Sequence, residues 1–270
     1  MRSPIGGTLS RVTQSGAMDQ RFAGRTVLVT GATGIGASTA ERVVSEGGSV
    51  FVVSLDQKPI DRLRRSSDRI DGMTADLTDE LAAEEAFARC QERFGRLDGV
   101  LAVAGGSGRR FGDGPVDQIP LSGWEATLAM NTTPMFLTVR EAVRHMPEGG
   151  SIVVVTSVLG LHPQRMFVTH AYAAAKSSAI GFVRAVASRY APAGIRVNAV
   201  APGLTATPMA QRAANDPGTV AYVEKKQPLA GGMLPPESIA VAAAFLLSDD
   251  ARHVTGQVLA VDGGSSVVEA

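Results

Sequence analysis

Tyr172 and Lys176 stand four residues apart in the segment His170-Ala-Tyr-Ala-Ala-Ala-Lys. Residues at i and i+4 share one face of a helix, so this spacing sets a phenol beside an ammonium. A cation next to a phenol favours the phenolate, and the expectation is a tyrosine pKa below the ordinary value of about 10. Such a tyrosine gives or takes a proton near neutral pH. Upstream, the apolar run Ser151-Ile-Val-Val-Val-Thr156 ends at Ser157, whose hydroxyl is suited to hold the oxygen being protonated. Proton transfer at a carbonyl or alcohol oxygen is the chemistry indicated. A Tyr and a Lys one turn apart on a surface helix look the same without any chemistry, so the reading needs a cofactor site elsewhere in the chain.

The elements that position these residues alternate between strand and helix. Strands are expected at Thr26–Thr30, Val50–Ser54, Gly72–Ala75, Asp98–Val103, Ser151–Thr156, Ile195–Val200 and Gln257–Val261. Helices are expected over Ala37–Glu46, Ile60–Ser67, Thr78–Phe94, Ser122–Met146 with a kink at Pro134, His170–Tyr190 and Glu237–Leu247. Leu204–Pro236 reads as a polar, irregular lid. Strands that are apolar throughout and separated by helices predict an α/β fold: one doubly wound, seven-stranded parallel sheet of Rossmann type with helices on both faces. The unbroken alternation predicts a single domain over residues 21–270, preceded by a Ser/Gly/Thr-rich mobile arm over residues 1–20, with Met18 as an alternative start.

In such a sheet, ligands bind beyond the carboxyl ends of the strands. After the first strand comes Gly31-Ala-Thr33-Gly34-Ile35-Gly36, whose glycines admit a pyrophosphate to a helix N-terminus. Ser54 and Asp56 close the second strand. Asp76-Leu77 follow the third, and Asp76 is a candidate acceptor for an adenine amino group. Ala104-Gly105 follow the fourth, where a flat ring would lie close. Pro202-Gly203, Thr205 and Thr207 follow the sixth. Each cluster alone is ordinary turn chemistry. Together with Tyr172 and Lys176 they describe a dinucleotide site.

Composition narrows the classes. The 270 residues are 44% hydrophobic and 19% charged, with 26 basic and 26 acidic side chains, so no net charge draws the chain to nucleic acid or an anionic membrane. No apolar run approaches the roughly 20 residues of a membrane span. The single cysteine, Cys90, rules out an internal disulfide framework and fits a reducing cytoplasm. No clustered ligand set is visible and no metal requirement is expected.

Thr30-Gly31 with its glycines, Asp76, Ala104-Gly105, Asn131, Ser157, Tyr172-Ala-Ala-Ala-Lys176, Asn198-Ala-Val-Ala-Pro-Gly203 and the closing Gly256–Gly264 resemble the short-chain dehydrogenase/reductase family, in family order over about residues 22–265. The resemblance implies an NAD(P)-dependent hydride transfer between nicotinamide and a secondary alcohol or ketone. Tyr172 would be the general acid/base, Ser157 would polarise the substrate oxygen, and Lys176 would lower the tyrosine pKa and hold the nicotinamide ribose. Asn131 would help hold a proton-relay water through its backbone. The resemblance also implies a homodimer, usually within a homotetramer, paired through the two long helices.

Four features depart from the family pattern. The glycine turn is one residue shorter than Thr-Gly-x-x-x-Gly-x-Gly. Ala102-Val-Ala-Gly105 replaces Asn-Asn-Ala-Gly, and Pro134 stands where glycine is usual. Extra chain at Leu161–Thr169 separates Ser157 from Tyr172. Ser54 occupies the usual aspartate position, Asp56 comes two residues late, and no arginine follows. This narrowly favours NAD(H) over NADP(H). Val158, Leu159, Met166, Phe167 and Met209 are expected to line a largely apolar substrate pocket, while His162 and His170 make local bonds. A second functional class stays open: a cofactor-binding protein with weak or lost catalysis and an assembly or regulatory role, supported by the short turn.

Overall fold

Short β-branched runs become strands because branched side chains pack well on a pleated surface. The computed structural model describes residues 20–269. It contains β1 (Thr26–Val29), β2 (Ser49–Ser54), β3 (Ile70–Thr74), β4 (Gly99–Ala102), β5 (Gly150–Val155), β6 (Ile195–Pro202) and β7 (Val258–Val261). All pair in parallel in one seven-stranded sheet, in the order β3-β2-β1-β4-β5-β6-β7. The strand order reverses between β1 and β4, the place where doubly wound sheets bind ligands. The arm expected over residues 1–20 lies outside the described residues, apart from Gln20.

The helices are α1 (Gly34–Ser45), α2 (Gln57–Ser66), α3 (Glu80–Phe94), α4 (Leu121–His145), α5 (His170–Tyr190), α6 (Gln211–Ala214), α7 (Pro217–Lys226) and α8 (Pro236–Leu247). They cover both faces of the sheet. On one, Phe87 and Cys90 of α3, Leu137 and Val139 of α4, and Val183 of α5 pack on Leu28, Val100 and Ile152. On the other, Ala40 and Val43 of α1 and Ile239 and Ala243 of α8 pack on Val29, Leu101 and Val153. Each of the Val, Leu, Ile and Phe side chains among them stabilises the fold by about 1.5–3 kcal/mol through burial. Burial also pushes the Cys90 thiol up to about 12, which makes it chemically inert.

Several expected boundaries move. α1 begins at Gly34, not Ala37, so the shortened glycine turn runs straight into the helix. α2 begins at Gln57 instead of Ile60, and β3 spans Ile70–Thr74 instead of Gly72–Ala75. Ser122 does not cap α4; it lies within the first turn after Pro120. Pro134 does not interrupt α4, which runs as one helix from Leu121 to His145. The lid, expected to be irregular, contains α6 and α7; Asp216 caps α7 and Pro217 opens it. Among the described residues no helix is long and apolar enough to cross a membrane.

Candidate active site

α5 carries Tyr172 and Lys176, and its first turn is fixed from outside. Thr169, at the N-cap, makes no side-chain bond. The buried Asp113, in the loop between β4 and α4, supplies the acceptors instead. One carboxylate oxygen takes the Ala171 N–H at 2.9 Å and the other takes the Tyr172 N–H at 3.0 Å. A carboxylate at a helix N-terminus also complements the helix dipole. His170 Nδ1 accepts from the Val116 N–H at 3.1 Å, a second tie between α5 and this loop rather than the local bond expected of it.

Lys176 lies one turn further along α5 and is buried. Its ammonium donates to the Val155 carbonyl, at the end of β5, at 3.0 Å. Ser157 follows that strand, and its Oγ accepts from the Leu159 N–H at 3.2 Å. The strand end and the helix therefore meet as the spacing predicts. The expected depression of the tyrosine does not appear. Burial pushes the Tyr172 phenol up to about 12, and the Ser157 hydroxyl opposes that rise. Burial likewise pulls Lys176 down to about 8. The Lys176 Nζ is 5.7 Å from the centroid of the tyrosine ring and is bonded to a backbone carbonyl. Desolvation thus outweighs the charge-to-phenol attraction in the protein alone.

The strand-end residues offer a dinucleotide cradle. The Thr33 side chain makes no cap bond at the start of α1, and the first turn of that helix has no acidic residue. Its N-terminus is therefore open to an anion. Gly36 leaves no room for a side chain: a Cβ would stand 2.2 Å from the Gly31 carbonyl oxygen. Gly34 is met by the lid, since a Cβ there would lie 2.7 Å from the Thr207 methyl. Gly105 (φ 144°) faces Asn131, whose Oδ1 would be 2.6 Å from an added Cβ. Asn131 Oδ1 accepts from the Gly106 N–H at 3.1 Å, while its Nδ2 donates to the Gly106 and Thr127 carbonyls at 3.0 and 2.9 Å. Its side chain is a clamp between α4 and the loop after β4. These features fit a flat ring and a diphosphate.

The remaining predicted residues divide. Ile35, Gly105, Ser157, Tyr172, Lys176, Pro202, Gly203, Thr205 and Thr207 line one cavity of about 560 Å³. Ser54, Asp56 and Asp76 lie at the ends of β2 and β3, away from it. Ser54 Oγ accepts from the Asp56 N–H at 3.4 Å, and the exposed Asp56 carboxylate makes no cap bond to α2. Asp76 takes both the N–H and the hydroxyl of Thr78 on one oxygen, and these bonds hold its carboxyl below the usual range. The Leu77 side chain is buried in the core. Ala104 packs against the same core.

The insert at Leu161–Thr169 does border the cavity, through Gln164, Met166, Phe167 and Val168, and so do Val158, Leu159 and Met209. The cavity lining is largely apolar, as expected, but Arg109, Arg110, Arg212 and Lys226 also line it. Sequence reasoning missed these residues, along with Asp113 and Gln227. Gln227 is buried and holds the lid by bonds to the Leu204 N–H at 2.6 Å and to the Leu204 and Gly232 carbonyls at 3.0 and 2.7 Å.

Comparison with known proteins agrees with this geometry. A family model described as enoyl-(acyl carrier protein) reductase matches residues 29–266. The chain is 37% identical over 258 residues to a cis-4-hydroxycyclohexanecarboxylate dehydrogenase of Sinomonas cyclohexanicum, covering 93% of this chain and all of that protein. It is 35% identical to a glucose 1-dehydrogenase of Gluconobacter oxydans, covering 90% and 92% of the two chains. A crystal structure of levodione reductase superimposes with a TM-score of 0.83 at 29% identity, covering 92% of this chain and all of that one. Relatives of this kind are oxidoreductases of alcohols and ketones that use NAD(P), and so is this chain. With the sheet order, the strand-end cradle and the near full-length matches in agreement, the chain belongs to the short-chain dehydrogenase/reductase family.

Proposed function

We propose that the enzyme interconverts a secondary alcohol and its ketone, with Tyr172 as the proton donor and acceptor at the substrate oxygen. The convergence of Tyr172, Ser157 and Lys176 in one cavity with Gly105 and Ile35 carries this reading. When bound, the nicotinamide supplies or accepts the hydride. In the reducing direction Tyr172 hands its phenolic proton to the carbonyl oxygen, and Ser157 holds that oxygen in line. Lys176 supplies the positive charge that the resulting phenolate needs. Asn131 keeps the Gly105–Gly106 loop in place beneath the ring.

The substrate we infer is a small, six-membered carbocycle. Support comes from the hydroxycyclohexane in the named substrate of the Sinomonas relative, which the cavity of about 560 Å³ has room for. We read NAD(H) as the preferred cofactor. Ser54 and the free Asp56 carboxylate at the end of β2 favour a ribose hydroxyl over a 2′-phosphate. Phe136, exposed on α4, pairs edge-on with Phe182 of α5 at 6.4 Å, which supports a homodimer through these helices. The short glycine turn gives the lost-catalysis alternative little support, because α1 still opens directly behind it.

Fluorescence titration with NADH and NADPH, followed by a screen of cyclic ketones and alcohols, tests the reading. Tighter NADH binding and turnover of a cyclic ketone are expected. Failure of both cofactors to bind at millimolar concentration would remove the reading. Light scattering that shows a monomer at micromolar concentration would remove the dimer.

A further inference from the structure

The cavity above Tyr172 is electrostatically lopsided. Besides Lys176, four cationic side chains line it, and Asp216 is the one carboxylate among its lining residues. Asp216 is committed to α7, where it accepts from the Thr219 N–H at 3.0 Å and from the Thr219 hydroxyl. The nearby Asp113 gives both oxygens to the start of α5. Lys226 donates to the Val268 carbonyl, and Arg110 lies over the Phe111 ring at 4.6 Å. Arg109 and Arg212 are left. Among the described residues neither makes an ion pair or a side-chain hydrogen bond. Partial desolvation, and then the like charge of Arg212, hold the Arg109 guanidinium below its ordinary value against the attraction of Asp113, while Arg212 in turn attracts Asp216. Both side chains are exposed and keep their charge, so two cationic forks stand at one cavity where an anion can bind.

We propose that the substrate carries a carboxylate, gripped by Arg109 and Arg212 while its alcohol or ketone oxygen meets Tyr172 and Ser157. This rests on the oxidoreductase reading above. Arg109 sits on the short helical turn Gly108–Phe111 after β4, outside the lid. Arg212 sits on α6 of the lid. One anion bound by both therefore ties the lid to the scaffold as the substrate seats. The planar fork of each guanidinium matches a carboxylate. The diphosphate of a dinucleotide is the other available anion. The phosphate turn contributes only Ile35 to this cavity, and Gly31, Gly34 and Gly36 do not line it, which favours the substrate.

The test compares 4-oxocyclohexanecarboxylate with its methyl ester, using NADH and NADPH, in wild type, Arg109→Gln and Arg212→Gln. Wild type is expected to prefer the acid by about tenfold or more in kcat/KM, through KM, and each variant to lose about tenfold of that preference. Equal use of acid and ester by wild type, or an unchanged preference in both variants, overturns the proposal. A weakened cofactor Kd in the variants with the acid preference intact assigns the arginines to the diphosphate and also overturns it. If neither ketone reacts, calorimetry with cyclohexanecarboxylate on the NADH-loaded enzyme decides. Binding that weakens in the variants upholds the grip while the reaction reading fails, and no binding at millimolar concentration removes the grip.

Discussion

The Asp113 carboxylate closes the N-terminus of α5 at Tyr172 itself, accepting that residue's N–H at 3.0 Å. The residue proposed to move the proton is thus held by a loop 59 positions away, and not by its own helix cap. Asp113 is a positioning residue: it touches the tyrosine backbone and leaves the phenol free.

Asp113→Ala is expected to lower kcat by about 10- to 100-fold, because small displacements of a reacting group are costly. Loss of the cap is expected to destabilise the fold by about 1 kcal/mol. Asp113→Asn, which keeps an acceptor oxygen, should recover part of the kcat. Steady-state kinetics with cofactor titration checks this. A positioning role moves kcat and leaves cofactor Kd in place, whereas a general structural role moves both.

Gly105→Ala is expected to damage the nicotinamide side of the site. The backbone conformation there costs about 1–3 kcal/mol for a residue with a Cβ. The added atom also meets Asn131 Oδ1 at 2.6 Å. Cofactor Kd should rise about tenfold or more, about 1.4 kcal/mol, measured by nucleotide fluorescence. An unchanged Kd would show that the Asn131 clamp does not shape the ring site.

Lys176 predicts a pH signature in stability. Its folded pKa is pulled down to about 8, below the ordinary value of 10.5. Below pH 8 the folded state bears the full cost of a buried ammonium. As pH rises from 8 to about 10.5 the unfolded chain holds more protons than the folded one, so stability increases. Tyr172, with its pKa raised, acts oppositely, but only above about pH 10. Wild type should therefore gain about 1–3 kcal/mol relative to Lys176→Met between pH 7 and 10. The lost Val155 bond offsets the two curves without changing the slope. Denaturant unfolding at several pH values measures it, and parallel curves would contradict the buried, depressed lysine.

Much of this site was legible in the sequence because it is written in local patterns. Ser157 ends a β-branched run, Tyr172 and Lys176 share a helical face, and glycines follow the first strand. Seven apolar runs separated by helices were enough for the sheet. What escaped depends on distance or on burial. The Asp113 cap comes from an irregular Gly/Pro stretch with no periodicity to read. The i+4 spacing gives adjacency but not desolvation, so the direction of the Tyr172 shift was misjudged. Arg109 and Arg212 reach one cavity from a loop and from the lid, which no spacing reveals. α7 did leave a signal, since Asp216-Pro217 followed by Thr219 is a helix start. The start of α1 at Gly34 escapes the pattern because the glycine-rich turn and the first helical residues overlap.

The central claim is that Tyr172 moves the proton, and Tyr172→Phe tests it most directly. Single-turnover reduction of a cyclic ketone should slow by about 10²–10⁴-fold, the usual contribution of a positioned acid. NADH and NADPH affinities should stay near their wild-type values, because the ring and the helix remain. Turnover within a few-fold of wild type, with the cofactor still bound, would show that another group supplies the proton and would contradict the account.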